Sequence, residues 1–282
     1  MSARPFVTRF APSPTGLLHK GHAFSALTAH EAARSAGGRL LLRIEDIDVT
    51  RCRPQFEAAI YDDLAWLGIA WEHPVLRQSE HMADYRAALE ELRAAGLVYR
   101  CFRTRREILD TMASAPHGPP EGYRGAPLAP DEEARRMAAG EPFAWRLSLA
   151  AAQARAGPLS FVEEGEGPGG ERGVIEVDPA TAGDVVLARK DVGVAYHLAC
   201  VGDDARQGVT SVMRGQDLFE ATHIQRLIQA VLGLPAPVYC HHRLIAGADG
   251  RRLAKRDKAE TLHSLRSRGV SAAALRAELG FG

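Results

Sequence analysis

The sequence predicts an α/β fold: a Rossmann-type parallel sheet with an inserted subdomain and a short C-terminal helical stem. Three observations carry this reading. From Phe6 to Ile44 the chain reads strand, constrained turn, helix, strand, a βαβ unit whose crossover sets its strands parallel. Glu45 and Arg214 stand directly after apolar runs, at strand carboxyl ends, where open α/β sheets collect their ligands. Nine of the sixteen prolines and ten of the twenty-seven glycines lie between Pro116 and Pro179, so an irregular insertion interrupts the sheet.

The first strand covers Phe6 to Phe10. Ala11-Pro12-Ser13-Pro14-Thr15-Gly16 then makes a rigid non-helical turn, because each proline fixes φ and removes a backbone donor. His19 and His22 follow where a helix begins, and residues three apart share a helix face. A helix N-terminus offers free N–H groups and partial positive charge, so two imidazoles there suit a phosphate. The helix runs to Ser35 and stops at Gly37-Gly38. Leu40 to Ile44 is an apolar run with one arginine, as expected of a strand covered on both faces. Glu45-Asp46-Ile47-Asp48 leave its carboxyl end. A buried carboxylate there either pairs with a substrate ammonium or caps the next element, and Asp46 and Asp48 read as caps.

Pro54 opens a helix carrying Phe56, Ile60, Leu64 and Leu67 up to Gly68. A second, from Glu80 to Ala95, aligns Tyr85, Leu89 and Leu92. Both are packing helices. Within the insertion, Phe143 to Leu149 reads as a short strand and Gly165 to Gly173 as a loop. The sheet resumes at Asp184, with strands Val185 to Leu187 and Ala195 to Val201 joined by the turn Lys190 to Gly193. That puts Tyr196 and His197 on opposite faces of a strand. Val209 to Met213 is another strand, followed by Arg214-Gly215-Gln216-Asp217 and a helix with Ile224, Leu227, Ile228 and Val231. The Arg214 guanidinium can bind a carboxylate through two parallel hydrogen bonds. Val238 to Ile245 is the last strand. Beyond it lie the turn Asp249-Gly250, the basic run Arg252-Leu253-Ala254-Lys255-Arg256, and helices holding Leu262, Leu265, Leu275 and Leu279. Four segments result: 1–99 and 184–245 as the two halves of a catalytic domain, 100–183 as the insertion, and 246–282 as loop and stem.

Thirty-five basic residues balance thirty-five acidic ones, so no global field draws the chain to nucleic acid, and any such contact needs a local patch. Cys52, Cys101, Cys200 and Cys240 are scattered without a Cys-x-x-Cys, which favours reduced thiols. No apolar leader or membrane-length run is present, and the expectation is a cytoplasmic monomer. Only four of the basic residues are lysines, Lys20, Lys190, Lys255 and Lys258, which marks places needing a compact, mobile ammonium.

Arg9 to Gly16 resembles the first signature of class I aminoacyl-tRNA synthetases, specifically of the glutamyl and glutaminyl branch, and Arg214-Gly215-Gln216-Asp217-Leu218 matches the same branch. Arg252 to Arg256 is similar to the second class I signature, Lys-Met-Ser-Lys-Ser. Arg252 stands for its first lysine, Ala254 for its first serine and Lys255 for its second lysine. The resemblance implies activation of L-glutamate by ATP, with Mg²⁺ accompanying the nucleotide and no tRNA needed for that step. It assigns catalysis to His19, His22 and Lys255, ATP binding to these and Gly21, and glutamate binding to Arg9, Phe10, Ala11, Pro12, Ser13, Glu45, Tyr196 and Arg214. Relatives with zinc in the insertion show Cys-x-Cys and then Tyr-x-x-x-Cys. Here Cys101-Phe102-Arg103 and Tyr123 with Pro127 lack two of those thiolates, and His117 could replace only one, so no metal site is expected.

The chain stops soon after the second signature, and no anticodon-binding domain is expected. In this it resembles truncated paralogues of the branch, which implies transfer of glutamate to queuosine in the anticodon of tRNA(Asp). Two other classes fit parts of the pattern. A nucleotide-binding regulator would account for Arg252 and Ala254. A small-molecule adenylyltransferase would share His-x-Gly-His but would not need Arg9, Glu45 and Arg214 together.

Overall fold

The computed structural model describes residues 5–113, 122–189, 193–245 and 260–282. In chain order its first elements are β1 (Val7–Phe10), α1 (Lys20–Ser35), β2 (Arg39–Ile44), α2 (Pro54–Trp66), β3 (Glu72–Arg77), α3 (Met82–Ala94) and β4 (Val98–Cys101). Then come α4 (Arg105–Ala113), α5 (Pro130–Ala138), β5 (Ala144–Leu147), α6 (Leu149–Ala156), β6 (Ser160–Glu163), β7 (Gly173–Glu176), β8 (Val186–Arg189) and β9 (Gly193–Val194). The last are α7 (Tyr196–Arg206), β10 (Ser211–Gly215), α8 (Phe219–Val231), β11 (Val238–His242), α9 (Leu262–Ser267) and α10 (Ala272–Leu279).

Strands β1, β2 and β3 form a parallel sheet. A second sheet runs β10-β11-β6-β7, parallel up to β6 and closed by the antiparallel β6–β7 hairpin. The two meet edge to edge, where Thr210 N donates to Val7 O and Val7 N donates to Thr210 Oγ1, both at 2.9 Å. The strands therefore line up as β3-β2-β1-β10-β11-β6, with the order reversing between β1 and β10. That reversal is a topological switch point, and it opens a crevice at the carboxyl ends of those two strands. A separate antiparallel sheet, β4-β5-β8-β9, carries the insertion.

The helix α1 lies close on the sheet because its inward positions are small or aliphatic: Ala23, Ala26, Leu27 and Ala29 are all buried. Its exit needs a glycine at 38, where a Cβ would fall 2.3 Å from the Phe6 carbonyl oxygen. Leu262, Leu265, Leu275 and Leu279 of α9 and α10 join the same core as Ile60 and Leu64 of α2. Thr261 and Ser271 cap these two helices, and Arg266–Asp63 at 3.1 Å and Arg276–Glu31 at 2.8 Å fasten the stem to the main body. In the insertion, buried Asp184 accepts hydrogen bonds from Tyr99 Oη (2.7 Å), Gly125 N and Leu149 N (both 2.8 Å).

Three sequence expectations differ from the fold. The sheet does not resume at Asp184: β8 pairs antiparallel with β5 and β9, whereas β6, within 100–183, joins β11 in the parallel sheet. Ala195 to Val201 is not a strand; Tyr196 opens helix α7. Leu198, Ala199, Cys200 and Val201 are all buried, and so are Asp203 and Asp204, so the helix is covered on nearly every side and shows no polar period. Tyr196 and His197 are thus neighbours on a helix N-terminus rather than on opposite strand faces, with ring centroids 5.5 Å apart. The described residues within 105–156 form three helices besides the expected strand. α5 has proline at its first turn, acids following it, arginines in its last turn and a Glu132–Arg136 pair at 2.7 Å, all standard helix chemistry.

One buried ionic knot joins β1, β2 and α7. Asp204 Oδ1 accepts from Arg9 Nε at 2.9 Å and from Arg43 Nη1 at 2.8 Å. Burial opposes ionisation of Asp204, but the two guanidinium groups outweigh it and hold its pKa at about 2. Its stabilising contribution is therefore complete above about pH 4, the unfolded value, and is lost as pH falls through about 2. Asp204→Asn leaves two buried cations short of a counter-ion and is expected to cost about 3–5 kcal/mol at neutral pH. Denaturant unfolding measures this cost, and the gap between wild type and variant should narrow as pH falls from about 4 towards 2.

Candidate active site

At the switch point lies a cavity of about 420 Å³. Arg9, Phe10, Ala11, Pro12, Ser13, His19, Gly21, His22, Glu45, Tyr196 and Arg214 all line it, although they come from β1, the turn after it, α1, β2, α7 and β10. Lys255, Arg252 and Ala254 lie outside the described residues. The residues on either side of that segment are at the site: Ile245 lines the cavity, and Thr261 pairs with His19 in a β-bridge.

The proline turn braces the site from beneath. Pro12 O accepts from Glu45 N at 3.0 Å, which ties the exit of β1 to the exit of β2, and Pro14 O accepts from Arg53 N at 3.0 Å. Beyond the turn the two histidines close a reciprocal cap on α1. Gly21 N donates to His19 Nδ1, and His19 N donates to His22 Nδ1, both at 3.1 Å. With both Nδ1 atoms accepting, the neutral rings carry their protons on Nε2. Both Nε2–H groups thus belong to rings at a helix N-terminus, and the ring centroids lie 3.8 Å apart. A Cβ at Gly21 would meet the His19 ring at 3.0 Å, so the ring would have to shift to admit it.

The opposite wall is cationic. The buried Arg214 guanidinium donates to His241 Nε2 (3.1 Å), Gln225 Oε1 (2.7 Å) and Thr222 Oγ1 (2.7 Å), three neutral acceptors. Arg9 reaches the same cavity with its Nε committed to Asp204. Between them stands Glu45, whose pKa burial raises even though Arg43 Nη2 lies 3.5 Å away. An ammonium beside Glu45 would supply the missing compensation. Burial, with the Arg214 charge, holds His197 down at about 4, so this neighbour of Tyr196 is neutral at pH 7. The cavity thus presents two guanidinium groups, one under-compensated carboxylate and a helix N-terminus with two imidazoles. Such a set fits a zwitterion bearing a second carboxylate, held next to phosphates.

Sequence reasoning missed the support under these groups. In the sequence Arg43 reads only as one arginine in an apolar run, yet an arginine in a central strand, itself 0% exposed, is the signal of a buried ion partner. Asp203 and Asp204, Glu163 and His241 were passed over because nothing local marks them. Where the resemblance implies a zinc site the chain carries one thiolate, Cys101, and His117 lies outside the described residues. Cys101 Sγ faces Tyr123 Oη at 3.8 Å, and Arg103 and Pro127 occupy the places of two thiolates. Among the described residues no group of three or more His, Cys, Asp or Glu could hold a metal, and no helix is long and apolar enough to cross a membrane.

The family model for the catalytic domain of tRNA synthetases class I (E and Q) matches residues 5–280. The glutamyl-Q tRNA(Asp) synthetase of Rhodobacter capsulatus is 50% identical over 97% of this chain and 99% of its own length. That of Nocardia farcinica is 44% identical over 93% and 80%. Among solved structures, a glutamate tRNA ligase from Elizabethkingia meningosepticum in complex with its amino acid superposes with a TM-score of 0.74 at 28% identity. This chain is covered over 89% but spans about half, 52%, of that longer protein. The chain belongs to the class I tRNA synthetases of the E and Q type.

Proposed function

We propose that the protein activates L-glutamate with ATP, without tRNA, and transfers the glutamyl group to queuosine in the anticodon of tRNA(Asp). The observation that carries the activation step is the meeting of Arg9, Arg214 and Glu45 with the His19–His22 helix terminus in one cavity. The acceptor rests on the likeness, over nearly the full length of both chains, to a relative named for tRNA(Asp).

In this reading an oxygen of the glutamate α-carboxylate attacks the α-phosphorus of ATP in line. The bond to the bridging oxygen breaks, pyrophosphate leaves, and glutamyl-adenylate forms. A queuosine hydroxyl then attacks the adenylate carbonyl and AMP departs. Glu45 takes the substrate ammonium, Arg214 and Arg9 the side-chain carboxylate, and Tyr196 closes the pocket. The Nε2–H groups of His19 and His22 meet the phosphates, and Lys255 neutralises the departing pyrophosphate. Catalysis is then mostly positioning and charge neutralisation. Magnesium would enter with the ATP phosphates and offset their charge. Residues 100–183 act as the tRNA-facing insertion between the two catalytic segments, and the enzyme works as a cytoplasmic monomer.

Pyrophosphate exchange tests activation: L-glutamate alone is expected to drive it in the absence of tRNA. No exchange with or without tRNA would favour a nucleotide-binding regulator. Labelled glutamate should then reach tRNA(Asp) only when queuosine is present, and label on tRNA(Glu) instead would refute the acceptor. Lys255→Ala is expected to slow exchange about 100-fold with an unchanged melting temperature. In the insertion, the Asp184 hydrogen bonds would do the work of a metal. Elemental analysis should find no stoichiometric zinc, and Asp184→Ala should lower the melting temperature by about 5 °C.

A further inference from the structure

A carboxylate–imidazole pair stands behind Arg214. Glu163 and His241 have fully buried side chains, and His241 Nδ1 lies 2.6 Å from Glu163 Oε2. The other carboxylate oxygen, Oε1, accepts from the backbone N–H groups of His241 and Gly165, both at 2.8 Å. Burial works against the Glu163 charge, yet the hydrogen bonds from His241 and Gly165 hold its carboxyl below the usual range. Burial lowers the pKa of His241, and the nearby Arg214 cation adds to this. An ionised Glu163 beside a neutral His241 requires the imidazole proton on Nδ1, which leaves Nε2 as the acceptor for Arg214 Nε–H at 3.1 Å.

We infer that Glu163 and His241 are positioning residues that fix the tautomer facing Arg214 and so aim its guanidinium at the substrate carboxylate. The pair rests on the assignment of Arg214 to glutamate made above. With Nε held by His241, and one hydrogen each of Nη1 and Nη2 taken by Gln225 and Thr222, two N–H bonds stay available for a bidentate carboxylate contact. Glu163 belongs to β6, which pairs with β11, the strand that carries His241. The glutamate pocket is therefore aligned by a strand from the insertion, not by the two catalytic halves alone.

Glu163→Gln tests this at constant shape. The amide oxygen must stay with the two backbone N–H donors, so the NH₂ group is forced towards His241 Nδ1. Nδ1 then has to accept, the imidazole proton moves to Nε2, and two donors face each other across the contact to Arg214. The expected result is a rise in KM for glutamate of about tenfold or more, with KM for ATP within about twofold of wild type. ¹⁵N NMR of the labelled imidazole should report Nδ1–H in wild type and Nε2–H in the variant. His241→Gln, whose amide can donate to Glu163 and accept from Arg214, should restore most of the glutamate affinity that His241→Leu loses. An unchanged glutamate KM in Glu163→Gln, an unchanged tautomer, or equal losses in the two His241 variants would overturn the inference. Arg214→Gln separates the two claims. If it leaves the glutamate KM unaltered, the pocket assignment itself fails; if it raises KM while Glu163→Gln does not, only the positioning role fails.

Discussion

The structure depends on one carboxylate shared by two arginines. Asp204 draws Arg9 from β1 and Arg43 from β2 onto the start of the catalytic crevice, and all three are buried. Each guanidinium alone would be costly to bury, and so would the carboxylate; their contacts offset part of that cost and fix the spacing of two strands and a helix. Their arrangement also sets what is left over. Arg43 reaches Glu45 only at 3.5 Å, so Glu45 stays under-compensated at the cavity wall. A buried carboxylate without a close cation partner is what a pocket for an ammonium substrate requires.

The two halves of the site use different physics. On the side proposed for the nucleotide the chain places two imidazoles whose Nδ1 atoms accept the backbone N–H groups of His19 and Gly21 at the start of α1. On the amino-acid side it offers full charges in fixed positions, with Arg214 held by three neutral acceptors. Phosphates move during the reaction and gain from adaptable donors. The substrate carboxylate stays still, so rigid guanidinium groups serve it better.

Much of this was legible in the sequence because it is local. The βαβ unit, the proline turn, the histidine pair at the start of α1, the stem leucines and the strand ends at Glu45 and Arg214 are each readable within a few residues. What escaped is long-range or lacks a period. Arg9 and Asp204 are 195 residues apart, Arg43 and Asp204 161, and Glu163 and His241 78, and no spacing rule links such pairs. Helix α7 was read as a strand because it is buried on almost all sides, polar residues included. The helices of the insertion are hidden by the weight of proline and glycine around them, although α5 carries its own first-turn proline and charge pattern.

The most direct measurement is a crystal structure with a non-hydrolysable glutamyl-adenylate analogue. The account predicts the analogue's free carboxylate on the two available N–H groups of Arg214, its ammonium beside Glu45, and its phosphate mimic between the Nε2 atoms of His19 and His22. An analogue bound with its carboxylate away from Arg214, or with its ammonium paired elsewhere than Glu45, would contradict it.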